Sequence, residues 1–137
     1  MGGEAPPPGF SEAPDQGPFM ENTGPLLMRE EEDGETIYGL LAEERHANRG
    51  GAVMGGMLAT FADYALGRAI EADADDSHTR ATVSLTVDYL APANPGDWIE
   101  SRANVDRVGS ALAFADCSLT VEGREVVRAR AVFARVD

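Results

Sequence analysis

The chain has 137 residues, 43% of them apolar, and carries 11 Lys+Arg against 24 Asp+Glu for a formal net charge of −13. That length fits one domain with a real core. The acidic balance argues against nucleic acid, whose binding needs clustered basic side chains to displace counterions. The longest uncharged run, Gly50 to Ala62, has 13 residues, short of the roughly 20 that a membrane-spanning helix needs.

A single cysteine, Cys117, excludes an internal disulfide and any multi-cysteine zinc or iron–sulfur site. The opening residues Met1-Gly2-Gly3-Glu4-Ala5-Pro6 lack the basic and apolar regions of a signal peptide. Pro6 also stands where a myristoylation signal needs Ser or Thr. These features lead us to expect a soluble, cytoplasmic protein with no membrane or nucleic-acid partner.

Six of the eight prolines and five of the 15 glycines fall in the first 25 residues. Such a segment buries too little apolar surface to offset its ordering entropy, so residues 1–18 are expected to be mobile and 19–137 to form the domain. Phe19, Met20, Leu26 and Leu27 are exceptions, suited to docking as a short helix or lid. Glu30 to Gly34 reads as a solvated turn. Regular signals begin with a short strand over Thr36 to Glu43, followed by a polar, Gly-rich loop over Arg45 to Gly51.

Met57, Leu58, Phe61, Ala62, Ala65, Leu66, Ala69 and Ile70 recur at helical spacing as one broad apolar stripe. The acidic stretch Glu71 to Ser77 ends that helix. Four strands follow: Thr82 to Leu90, Trp98 to Val108, Ala111 to Val121 and Val126 to Val136. Gly109-Ser110 and Glu122-Gly123 serve as tight turns. A single helix so widely apolar needs a sheet curled around it. The fold class is α+β, with a mostly antiparallel sheet and no internal repeat.

Candidate functional residues gather at the loop-to-helix junction. Gly55-Gly56 at a helix start exposes backbone N–H groups suited to an oxygen gaining negative charge, or merely permits close helix packing. At 100° per residue, Asp63 points about 140° from the centre of the apolar stripe. It is either a solvated residue or, under a partner subunit, a buried base. Thr82 shares a strand face with Ser84, Thr86 and Asp88, opposite Val83, Leu85, Val87 and Tyr89, and threonine is common in strands. His46 is a lone loop histidine, a type more often a structural hydrogen-bonder than a catalyst. Neither His46 nor His78 has partners at zinc spacing, so no metal is expected. No Ser-His-Asp or Cys-His set assembles, and no strand–GxGxxG–helix phosphate loop is present.

At these residues the chain resembles the PaaI-like branch of hotdog-fold acyl-CoA thioesterases. That branch carries His-x-Asn-x-x-Gly-x-x-His-Gly-Gly followed by an aspartate in the helix. Here the stretch reads His46-Ala47-Asn48-Arg49-Gly50-Gly51-Ala52-Val53-Met54-Gly55-Gly56, with Phe61, Asp63, Ala65 and Gly67 in register. Val87-Asp88-Tyr89-Leu90-Ala91-Pro92-Ala93 is similar to the family strand ending in Tyr-Leu-x-Pro-Ala, and Leu112-Ala113-Phe114 to its next hairpin.

The resemblance implies a helix wrapped by an antiparallel sheet, in a homodimer often paired again as a homotetramer. It implies hydrolysis of an acyl- or aryl-CoA thioester, with no cofactor beyond the coenzyme A of the substrate. By position, the Gly55 amide polarises the carbonyl, Asp63 acts as general base or, less readily, as nucleophile, Asn48 holds water or carbonyl, and Thr82 orients the water. Asn48 and Gly55 come from one subunit, Asp63 and Thr82 from the other. His46, Met54 and Gly56 line the substrate.

Met54 departs from the family histidine before Gly-Gly, and a thioether donates no hydrogen bond. That departure keeps a second reading open, an acyl-CoA or apolar-ligand binding protein with weak or no hydrolysis. A dehydratase is a third, disfavoured because His46 is the only histidine in the loop or helix. Arg49, Arg107 and Arg124 are candidates for the coenzyme phosphates.

Overall fold

The computed structural model describes residues 6–137. Seven strands form one antiparallel sheet in the order β1-β2-β3-β5-β6-β7-β4. They are β1 (Ser11–Glu12), β2 (Leu27–Glu30), β3 (Thr36–Leu41), β4 (Arg80–Tyr89), β5 (Trp98–Val108), β6 (Leu112–Val121) and β7 (Arg124–Arg135). Two helices, α1 (Pro18–Thr23) and α2 (Gly55–Ala74), and one 3-10 turn (Glu44–His46) complete the described residues. This is the hotdog arrangement that the resemblance implied, with α2 held in the curl of the sheet.

The apolar stripe of α2 drives that curl. Met57, Leu58, Phe61, Ala62, Ala65, Leu66 and Ile70 are all buried. Against them lie the inward residues of β6 (Ala113, Ala115, Cys117, Leu119, Val121) and of β7 (Val127, Ala129, Ala131, Phe133). Alanines at successive inward positions leave room for the sheet to approach the helix. Phe61, Leu66 and Ile70 are fully buried, each worth about 1.5–3 kcal/mol relative to exposure. The helix stops where Asp75 takes a left-handed conformation (φ 49°) and returns its N–H to the Glu71 carbonyl.

The β6–β7 hairpin turns through Glu122 and Gly123, both with positive φ (51° and 81°). A two-residue turn of that kind matches the twist of the flanking strands.

A bulge at Val83 in β4 overturns the regular alternation expected there. Thr82 pairs with Phe133, whereas Ser84 pairs with Val132. The extra residue moves Thr82 onto the inward face with Leu85, Val87 and Tyr89, whose partners Ala131, Ala129 and Val127 are core residues. Ser84, Thr86 and Asp88 face outward, opposite Val132, Arg130 and Arg128.

The described part of the proline-rich segment packs on the body. The Phe10 ring meets Trp98 edge to face (centroids 4.9 Å apart), and the Arg29 guanidinium lies over it. Gln16 bonds through its side chain to the Leu26 N–H and carbonyl. Met20 and Leu26 are buried, Phe19 is exposed, and Leu27 opens β2. Residues 1–5 of the segment expected to be mobile lie outside the described residues. No helix among the described residues is long and apolar enough to cross a membrane.

Trp98 requires a bare backbone at Gly39, where a Cβ would come within 2.0 Å of the indole ring. Gly39→Ala is therefore expected to cost about 3 kcal/mol, read as a lower urea midpoint at unchanged slope. An unchanged midpoint contradicts this packing.

Candidate active site

The loop between the 3-10 turn and α2 is shaped by its own polar groups. Asn48 Oδ1 accepts from the N–H groups of Gly50 (2.9 Å) and Ala52 (3.2 Å), and the Asn48 N–H donates to the Ala52 carbonyl (2.7 Å). This fixes the amide orientation and leaves the Asn48 NH2 as the outward donor of an exposed side chain. Val53 donates to the Ala93 carbonyl at 2.8 Å, tying the loop to the segment after β4.

His46 is buried, and both of its ring nitrogens are engaged by backbone. Nδ1 accepts the Glu43 N–H at 2.9 Å, so the neutral ring carries its proton on Nε2 and donates to the Thr23 carbonyl at 2.6 Å. Arg45 adds bonds to the carbonyls of Asn22 and Gly24. The end of α1 is thereby clipped to the 3-10 turn. The His46 carbonyl in turn accepts the Met54 N–H at 2.8 Å. His46 thus reaches the helix start through its backbone, while its ring is committed to the fold.

Met54 is the N-cap of α2, with no side-chain cap bond and a half-exposed thioether. The N–H groups of Met57 and Leu58 return to the Met54 carbonyl at 2.9 and 3.2 Å. Among the described residues, no acceptor takes the N–H of Gly55 or Gly56. A Cβ on Gly56 would meet nothing within 4 Å, so that face of the helix end is open. Two free N–H groups at the positive end of a 20-residue helix are chemically suited to an oxygen developing negative charge.

Asp63 lies two turns further along α2 and is half-buried. Thr82 donates its hydroxyl to Asp63 Oδ1 at 2.7 Å, a contact made possible by the bulge at Val83. The donated proton orients the carboxylate, and the Thr82 oxygen keeps lone pairs that can accept from water. Asp63 and Thr82 are therefore in contact, and Met54, Gly55 and Gly56 are consecutive at the helix start, with Asn48 in the loop that leads to it. The two groups are separate within one chain, since eight residues of helix place Gly55 and Asp63 about 12 Å apart.

Tyr89, which sequence reasoning placed only within a family-like strand, also contacts the helix start. Its hydroxyl donates to the Gly55 carbonyl at 2.7 Å. The one available signal was the Tyr-Leu-x-Pro-Ala pattern. Two surface clefts, of about 540 and 760 Å3, lie on the outer face of the sheet and beside the C-terminal half of α2. Neither is lined by Gly55 or Asp63. The described residues contain no cluster of three or more His, Cys, Asp or Glu side chains arranged to hold a metal.

Residues 50–128 match the family described as Thioesterase superfamily. A Pseudomonas aeruginosa protein named "Putative esterase PA0474" is 34% identical over 127 residues, covering 93% of this chain and 95% of that protein. Human acyl-coenzyme A thioesterase 13 is 29% identical over 102 residues, covering 74% and 72%. A Ralstonia eutropha crystal structure, described as a putative thioesterase and phenylacetic acid degradation-related protein, superposes with a TM-score of 0.76. It is 26% identical and covers 89% of this chain and 92% of its own.

Cys117 faces the core, and burial pushes its thiol up to about 12. At pH 8 its thiolate fraction is then on the order of one in ten thousand. The folded protein is expected to leave Ellman's reagent unreacted until denaturant is added, and rapid stoichiometric modification would contradict this burial.

Proposed function

The chain belongs to the Thioesterase superfamily, in its PaaI-like hotdog branch, and from that premise we propose that it hydrolyses an acyl- or aryl-CoA thioester at a site shared by two subunits. Thioester hydrolysis in general is supported by the family and by the acyl-coenzyme A thioesterases among the relatives. The observation that carries the finer reading is the pairing of free helix-start amides with a hydroxyl-oriented carboxylate two turns away.

One chain cannot bring the two halves together, but a second copy can. β4 is an edge strand of 10 residues, paired only with β7, and exposed edges of that length are seldom left open. Tyr89 marks the Gly55 end of β4, and Thr82 marks the Asp63 end. Two β4 edges paired antiparallel about a two-fold near Leu85–Thr86 set the Gly55 end of one chain beside the partner's Asp63. Val83, Tyr89 and Leu90, all more than half exposed, become covered in that arrangement.

The thioester carbonyl then accepts from the Gly55 N–H, with Asn48 Nδ2 available to the same oxygen or to water. The partner's Asp63 removes a proton from water held by the partner's Thr82. The hydroxide oxygen bonds to the carbonyl carbon, and the negative charge passes to the oxygen at the helix start. Collapse breaks the C–S bond, and the proton on the partner's Asp63 is available to the leaving sulfur.

Arg49 and Arg124 are in no ion pair among the described residues. Arg124 reaches the Pro92 carbonyl at 3.4 Å, next to the Ala93 that binds Val53. Arg124 thus reaches the segment tied to the loop before the helix start, and with Arg49 and Arg107 it is a candidate for the coenzyme phosphates.

Met54 supports a second reading, a binding protein with slow turnover, because its thioether supplies no donor where the family has histidine. A panel of acyl- and aryl-CoAs followed by thiol release separates the two. Hydrolysis predicts release above background and a loss of at least about 100-fold in Asp63→Asn. Met54→His is expected to raise release about 10- to 100-fold, as one restored positioned hydrogen bond would. No release from any thioester with intact ligand binding, and no gain in Met54→His, favours the binding reading. Full activity in Asp63→Asn overturns the proposed chemistry.

A further inference from the structure

Tyr89 makes two contacts with the first residue of α2. Its hydroxyl donates to the Gly55 carbonyl at 2.7 Å, and its ring atoms lie 3.2–3.4 Å from where a Cβ on Gly55 would stand. The side chain is 52% exposed, so burial alone does not account for its placement. The carbonyl it grips belongs to the same peptide unit as the Gly56 N–H.

A hydrogen bond accepted by a peptide oxygen draws electron density from the nitrogen and makes its N–H a stronger donor. The neighbouring Met54–Gly55 peptide is treated alike, since its carbonyl accepts from Met57 and Leu58. Both free N–H groups at the helix start therefore belong to peptides whose oxygens are bonded.

We infer that Tyr89 is a positioning residue, holding the Gly55–Gly56 peptide so that the Gly56 N–H serves as a second donor beside that of Gly55. The identity of the oxygen it serves, a thioester carbonyl, rests on the hydrolase reading, whereas the hold on the peptide does not. The same ring limits residue 55 to a side chain no larger than its few tenths of an ångström of give will admit.

Tyr89→Phe keeps the ring and removes only the hydroxyl. In 15N-labelled protein the Gly56 amide signal is expected to move upfield while that of Gly55 stays nearly fixed. With a thioester that the unmodified protein turns over, kcat is expected to fall about three- to tenfold with KM held within about twofold. A single-fluorine tyrosine at position 89, a stronger donor at a pH where its phenol stays protonated, shifts both readouts the opposite way. An unmoved Gly56 signal, an unchanged kcat, or a loss carried by KM alone overturns the inference. If no thioester is turned over at all, the hydrolase reading fails, and the Gly56 signal still decides whether Tyr89 controls that peptide.

Discussion

The site depends on how one strand is pinned to one helix. β4 touches α2 at two polar points, Tyr89 on the Gly55 carbonyl and Thr82 on the Asp63 carboxylate. A helix is too stiff to bring those points together, because eight residues hold them about 12 Å apart whatever the sheet does. The donor end and the carboxylate end of one chain are thus held apart. In the assembly we propose, the open edge that carries both contacts is the edge along which a second copy supplies the missing half.

Each end is held by structure that has little chemistry of its own. At the donor end, Asn48 fastens its loop, and Val53 and Met54 anchor to Ala93 and His46, so the first turn of α2 arrives with two N–H groups uncapped. Leaving helix-start donors unpaired costs stability in an isolated chain. The fold offsets this through the buried stripe of α2 and the alanine-lined sheet that closes on it. At the carboxylate end, one inserted residue at Val83 turns Thr82 inward.

Much of the fold was legible because its signals are local. The helical period over Met57 to Ile70 located α2, and the strand expected at Trp98 to Val108 has those bounds because Pro95 and Gly109 frame it. Glu122-Gly123 marked a hairpin from turn chemistry alone. β1 and β2 were not legible, since two- and four-residue strands leave almost no period to read. Thr82 illustrates the limit of alternation: a bulge is invisible in a residue pattern, and it reversed the face assigned to the side chain that meets Asp63. The docking of Phe10 on Trp98 joins residues 88 positions apart and left no trace in composition. His46 and Tyr89 show the same limit at the site, because only the fold reveals which backbone groups their polar atoms hold.

Complementation between two inactive chains tests the shared site most directly. Gly55→Pro, made together with Tyr89→Ala so that the ring crowding residue 55 is cleared, removes the donor N–H at a first helical position behind a Met54 already at φ −58° and ψ 133°. Asp63→Asn removes the base. When both chains are co-refolded, half of the pairs are mixed and each mixed pair holds one intact site. Thiol release should then recover to about a quarter of that of the unmodified protein. A mixture no more active than its two parents would contradict a site built from two subunits.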